Sequence, residues 1–303
     1  MSELSHVSGR KLPARRRLCH GLIAGLGQLG TLYVVATPIG NLEDISFRAL
    51  RILKEVDLIA AEDTRETRKL LSAYGIHTPL KSFHRHSGPG KREQLLAQLR
   101  DRNVALVSDA GMPGISDPGQ DLVSAAAAVG VPVVPVPGPS APVTALAASG
   151  IPADRFLYLG FLPRVRADRR RLLNSVARLP YSLVAFEAPH RLQAALTDLQ
   201  DSLGDRPAAI GRELTKLHEE ILRGRISELR AIFKERAPRG EFTLVIGPAE
   251  PSSELEAPSA LDLVALARQL RADGSRGKDA VRELMEKAGA GRREAYQAWL
   301  DST

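Results

Sequence analysis

From Thr31 to about Ser149 the chain repeats one pattern: a short apolar run, then a stretch with helical spacing, then another apolar run. The runs are Leu32–Ala36, Val56–Ala61, Leu80–Phe83, Val104–Ser108 and Val131–Val136. Between and after them lie Ser46–Lys54, Thr64–Tyr74, Gly90–Asp101, Gly119–Val129 and Ser140–Ala148, each amphipathic or small and apolar. Strands joined by helical crossovers lie parallel and are covered by helices, so this order predicts an α/β sheet over residues 31–150. A second α/β block follows over 151–248, with strands at Phe156–Leu159, Ser182–Phe186, Ala208–Arg212, Glu220–Arg223 and Phe242–Ile246 and helices at Ala167–Arg178, Pro189–Leu203 and Ser227–Glu235. Residues 249–259 have the Pro/Ser composition of a linker. Three helical patterns over 260–303 (Ala260–Ala272, Gly277–Ala288 and Gly291–Leu300) then predict a small module of helix-turn-helix type.

Charge narrows the partner. The 303 residues carry a formal +7, which favours an anionic one. Residues 1–30 hold five Lys/Arg against Glu3 alone and read as a basic flexible arm. From Gly21 to Gly40 no charged residue occurs, yet five glycines and Pro38 interrupt the stretch, which excludes a membrane span. Gly25-Leu26-Gly27-Gln28-Leu29-Gly30 matches a dinucleotide fingerprint but precedes the first strand instead of following it, so it is set aside. A single cysteine, Cys19, excludes a disulfide framework and a thiolate zinc site, and a cytoplasmic address follows as the expectation. The terminal module carries eight Lys/Arg against nine Asp/Glu over 251–303 and is either a docking appendage or an RNA contact through Arg276, Lys278, Arg292 and Arg293.

Open α/β sheets bind ligands at the carboxyl ends of their strands. Three such loops are dense in Pro and Gly: Thr37–Asn41, the stretch Asp109–Gly119, and Pro137–Ala141. They present backbone groups to a ligand at close range, and none carries the Lys of a phosphate-gripping loop. Asp109 and Asp117 suit a cationic or ribose-bearing molecule; either also reads as a helix cap, Asp117 before Pro118 the more so. Asp63 pairs with Glu66 in a capping-box-like start.

The ordered motifs Leu32–Leu42, Ala61-Glu62-Asp63-Thr64-Arg65, Ser108–Gly119, Pro137–Ala141, Phe186-Glu187-Ala188-Pro189-His190-Arg191 and Gly211–Lys216 resemble the family of ribosomal RNA small subunit methyltransferase I, within the tetrapyrrole-methylase superfamily. The likeness runs from about Gly30 to the C-terminus; the basic arm lies outside it, and His84-Arg85-His86 departs from the family's usual segment. It implies S-adenosyl-L-methionine as cofactor, folded in a cleft between two α/β domains. It also implies methylation of the ribose 2′-hydroxyl of a cytidine in small-subunit ribosomal RNA, a homodimer, and the cytoplasm. The implied cofactor residues are Pro38, Ile39 and Gly40; Ser108, Asp109, Ala110, Gly111, Met112, Ile115 and Ser116; and Pro137, Gly138 and Ser140.

A sulfonium methyl donor needs positioning and exclusion of water, and no metal. The acceptor hydroxyl needs a base, or a cation that stabilises the developing alkoxide. The strand-end candidates are Asp63, Glu187, Arg191, Glu213, Lys216 and His218, with Glu187 or Asp63 expected to accept or orient the proton and Arg191 to grip phosphate or ribose. His84 and His86 read as surface residues. The run Arg164, Arg166, Arg169, Arg170 and Arg171, opposed only by Asp168, is expected to meet RNA phosphates, either free RNA or an assembled small ribosomal subunit. Aromatic residues at 4% argue against extensive base stacking. Two other readings remain: a methylase of a small tetrapyrrole, and a non-catalytic RNA-binding assembly factor.

Overall fold

The structure is a computed structural model that describes residues 29–85, 87–249, 260–275, 277–288 and 290–302. The basic arm up to residue 28, the glycine motif begun there, His86, most of the linker and Arg276 lie outside the described residues. The chain divides into two compact units. The first takes the described residues up to Thr37 together with Ile45–Gly138; the second takes Pro38–Asp44 and the described residues from Pro139 onward.

The first unit holds β1 (Leu32–Val35), α1 (Phe47–Glu55), β2 (Leu58–Ala61), α2 (Thr64–Ala73), β3 (Leu80–Ser82), α3 (Pro89–Gln98), β4 (Val104–Val107), α4 (Gln120–Ala128) and β5 (Val133–Val136). Its five strands are all parallel, in the order β3-β2-β4-β1-β5. Side chains alternate across a strand, so one set (Val35, Ile59, Ala61, Ala105, Val107) packs with Ile52, Leu53 and Leu71 of α1 and α2. The other set (Leu32, Ala60, Val104, Leu106) packs with Leu95 of α3, with Leu99 just beyond it, and with Leu122 of α4. Strands buried on both faces read as unbroken apolar runs, which is why they stand out in the sequence. Ser46 starts α1 by accepting the Ala49 N–H at 3.1 Å.

The second unit begins with α5 (Ala141–Ser149) and continues with β6 (Phe156–Phe161), α6 (Arg166–Val176), β7 (Ser182–Glu187), α7 (Leu192–Leu203), β8 (Pro207–Arg212), β9 (Glu220–Arg225), α8 (Ile226–Glu235) and β10 (Phe242–Ile246). Its sheet is mixed, in the order β6-β7-β10-β8-β9, with β6 and β7 parallel and the other pairs antiparallel. One face carries the largest core, formed with α6, α7 and α8 and centred on Leu173, Leu196, Leu229 and Phe233. Ala145 and Leu146 of α5 pack with Val184, Ala209 and Val245 on other strand positions. A division at residue 150 would have left α5 with the first sheet; it belongs to the second because its small apolar side chains have their burial there. The terminal helices α9 (Ala260–Ala272), α10 (Gly277–Ala288) and α11 (Arg292–Asp301) form a separate small core that includes Leu270, Leu284 and Ala295.

Candidate active site

In the first unit β4, β1 and β5 are adjacent, so the chain leaves them at Ser108, Thr37 and Pro137 along one edge. The connection from β1 leads to α1 on one face and that from β4 to α4 on the other, which opens a crevice between the two strand ends. Thr37 and Gly111 exchange backbone hydrogen bonds of 2.9 and 3.0 Å across it, and the Thr37 hydroxyl donates to the Ser108 carbonyl at 3.1 Å. Gly111 makes this bridge at φ +79°, a conformation costly to any residue with a Cβ. Ser116, a residue that does carry one, is held at φ +64° in the same loop. Backbone outliers of this kind persist where surrounding contacts over-determine them.

Four acids stand at this edge. Asp63 caps α2, taking the Arg65 N–H at 2.8 Å and the Arg65 guanidinium at 2.7 Å. The side-chain hydrogen bond from Arg65 holds its carboxyl down at about 2. Its carboxylate thus holds the start of α2. The Asp63 N–H in turn donates to Asp109 at 2.9 Å. Burial pushes Asp109 upward, and burial with the neighbouring Asp117 and Asp109 does the same to Glu62. Asp117 is pushed up to about 6, chiefly by burial, against a hydrogen bond from Ser108 that pulls the other way. It is not the cap of α4; Gly119 occupies that position. Arg85 is the opposing cation and donates to the Ser116 carbonyl at 3.0 Å. Sequence reasoning passed over Glu62 and discounted Asp117. The available signal was a carboxylate directly at the end of an apolar strand.

The second unit treats its charges differently. Glu187 ends β7 with its side chain closed to solvent; one oxygen accepts the Ala188 N–H at 2.7 Å and the Arg191 guanidinium at 2.6 Å. The other oxygen has no hydrogen-bond partner among the described residues. Burial raises its pKa, opposed by the Ala188 N–H and Arg191. Arg191 also donates to the Leu162 carbonyl at 3.2 Å. Glu187 thus holds Arg191 in place. The expectation for Arg169 is corrected: it is 4% exposed, its Nε and Nη2 are bound to the buried Asp198, and its Nη1 serves the Pro163 and Arg164 carbonyls. An arginine enclosed in this way is shielded from a phosphate in solution. Arg164 and Arg166 are exposed and Arg170 half-buried; Arg166 pairs with Asp198 and Asp201, and Arg170 with Asp201.

Of the remaining expected residues, Ile39 is buried in the second unit's core and the Asn41 N–H donates to Thr215 at 3.1 Å. Pro38, Gly40 and Ser140 belong to that unit, whereas Ala110, Met112, Ile115, Pro137 and Gly138 belong to the first. Lys216 is bound at 3.0 Å to both Glu213 and Glu241.

Residues 31–230 match the family of tetrapyrrole (corrin/porphyrin) methylases. The ribosomal RNA small subunit methyltransferase I of Synechocystis is 47% identical over 90% of this chain and 98% of its own length; that of Bacillus subtilis is 41% identical over 91% and 96%. The chain therefore belongs to the tetrapyrrole methylases and, within them, to the family of ribosomal RNA small subunit methyltransferase I. Its fold is similar to that of uroporphyrin-III C-methyltransferase from Thermus thermophilus complexed with S-adenyl homocysteine, at a TM-score of 0.51 and 22% identity over 72% of this chain and 97% of that one.

Proposed function

We propose that this protein methylates small-subunit ribosomal RNA with S-adenosyl-L-methionine as donor, and that the acceptor is the ribose 2′-hydroxyl of a cytidine. The strongest support is the identity with relatives that carry the ribosomal RNA methyltransferase name along nine-tenths of the chain. The first unit's strand edge fits the cofactor. Glu62, Asp109 and Asp117 form an acidic edge whose burial leaves it short of positive charge, which suits a sulfonium and an ammonium group. Ala110, Gly111 and Gly138 let backbone approach a ligand closely, and no lysine stands there to grip a phosphate. When bound, the cofactor supplies a methyl carbon already activated for transfer.

The protein's own work is to orient that carbon, exclude water and take a proton from the hydroxyl. Asp117, held near 6, suits the last task better than Asp63. On the RNA side Arg164, Arg166 and Arg170 meet phosphates while Arg191 fixes the Leu162 backbone. The enzyme works in the cytoplasm as a homodimer; among the described residues no helix is long and apolar enough to cross a membrane. Labelled methyl donor incubated with small ribosomal subunits, naked ribosomal RNA and a porphyrinoid precursor tests the reading. Label in the subunit or RNA is expected; label only in the porphyrinoid, or none, contradicts it.

A further inference from the structure

The edge strand β6 contains an extra residue with a consequence. Tyr158 lies opposite Val184, and the next pairing sets Phe161 opposite Phe186, so three steps on β6 match two on β7. Gly160 makes the bulge at φ +66°. Without it, strand alternation would send Phe161 to the side of Leu157 and Leu159, which pack into the main core. With it, Leu162 takes the core position and is buried, while Phe161 is turned out and left 57% exposed. The ring is nonetheless held: its centroid lies 5.3 Å from that of Phe186, which Tyr158 meets edge-on at 5.5 Å. Leu162, the next residue, is fixed by Arg191 through its carbonyl. Arg164, three residues beyond the ring, is exposed and has no ion pair among the described residues.

We infer that Phe161 is a stacking platform for an unpaired nucleobase of the RNA acceptor, with Arg164 on the adjacent phosphate. An exposed aromatic face held by its neighbours, with an exposed arginine three residues on that has no ion pair among the described residues, is a combination that suits single-stranded RNA, since every base has a π-face and every linkage a charge. One platform is compatible with the scarcity of aromatics, because it places a single base and does not track a strand. The inference rests on the ribosomal RNA reading and adds to it the residue that seats the acceptor.

Two measurements on the full chain test it. The parent has one tryptophan, Trp299. In the Phe161→Trp variant, a cytidine-rich single-stranded RNA oligonucleotide should quench emission saturably beyond what it does to the parent, and inorganic polyphosphate should not. No added quench overturns the inference, whether or not any methyl transfer is observed. In transfer assays on small ribosomal subunits, Phe161→Ala should raise KM for the subunit about tenfold or more with kcat and cofactor KM retained. Phe161→Trp should restore it and Phe161→Leu should not. Restoration by leucine overturns the proposal, since bulk alone would then suffice. So does a change of sedimenting mass in Phe161→Ala, which would mean that a second copy of the chain covers the ring. Absence of transfer by the parent to any RNA would instead count against the ribosomal RNA reading itself, and the emission result would still decide the platform.

Discussion

The two sheets use charge in opposite ways. At the edge of the first, burial foremost pushes Glu62, Asp109 and Asp117 upward, and neighbouring carboxylates add to it. In the second, a hydrogen bond from Arg236 foremost holds Glu220 low, and the arginines around Asp198 hold it low although burial pulls it upward. The contrast has an exception in each unit: Arg65 holds Asp63 low in the first, and burial raises Glu187 in the second although Arg191 pulls the other way. Around Asp198 the arginines form a scaffold.

Breaking the scaffold should produce the largest effect. Asp198→Ala leaves Arg169 enclosed without its partner and should cost about 3–5 kcal/mol in denaturant unfolding. A loss below about 1 kcal/mol would make this pair no more than a surface contact. Next, Gly111→Val puts a branched side chain at φ +79°, at a backbone cost of roughly 1–2 kcal/mol or more, and should abolish cofactor binding measured by calorimetry. Unchanged affinity would remove the Thr37–Gly111 bridge from the site.

Asp117 sharpens the contrast through pH. Its native value of about 6 lies above the ordinary 3.8, so between those values the native state keeps a proton that the unfolded chain releases. Its contribution to stability is greatest below about 4, falls as pH rises through the window and is flat above about 6. Asp117→Asn should therefore be more stable than the parent above pH 6 and lose that advantage toward pH 4, as thermal unfolding across pH would read. Equal pH profiles would mean that the carboxylate is already relieved. The smallest effect belongs to the exposed arginines. Arg164→Ala and Arg170→Ala should each lower the slope of log affinity for RNA against log salt by about 0.7 while leaving cofactor affinity alone.

Much of the architecture could be read from local pattern, and what escaped depended on distant partners. The runs at Val104–Val107 and Phe242–Ile246 are visible because strands buried on both faces read as near-continuous apolar runs, with Thr243 the one polar residue in these two. The Pro/Gly loops after β1, β4 and β5 are visible because only turns that bring backbone to a surface need that composition. Arg169 and Arg170 look alike in sequence, yet one is enclosed because Asp198 stands 29 positions away on α7. Helix α5 is small and apolar all round, so nothing in its own pattern says which sheet it covers. The outward turn of Phe161 depends on one glycine at positive φ, and alternation alone would have placed the ring in the core.

The central claim is that the first sheet's carboxyl edge holds a methyl donor used on ribosomal RNA. The most direct test is nucleoside analysis by mass spectrometry of small-subunit RNA after incubation with isotopically labelled S-adenosyl-L-methionine and either the parent or Gly111→Val. The account predicts a single labelled nucleoside, 2′-O-methylcytidine, with the parent and none with the variant. Label on a base, or equal label with both proteins, would contradict it.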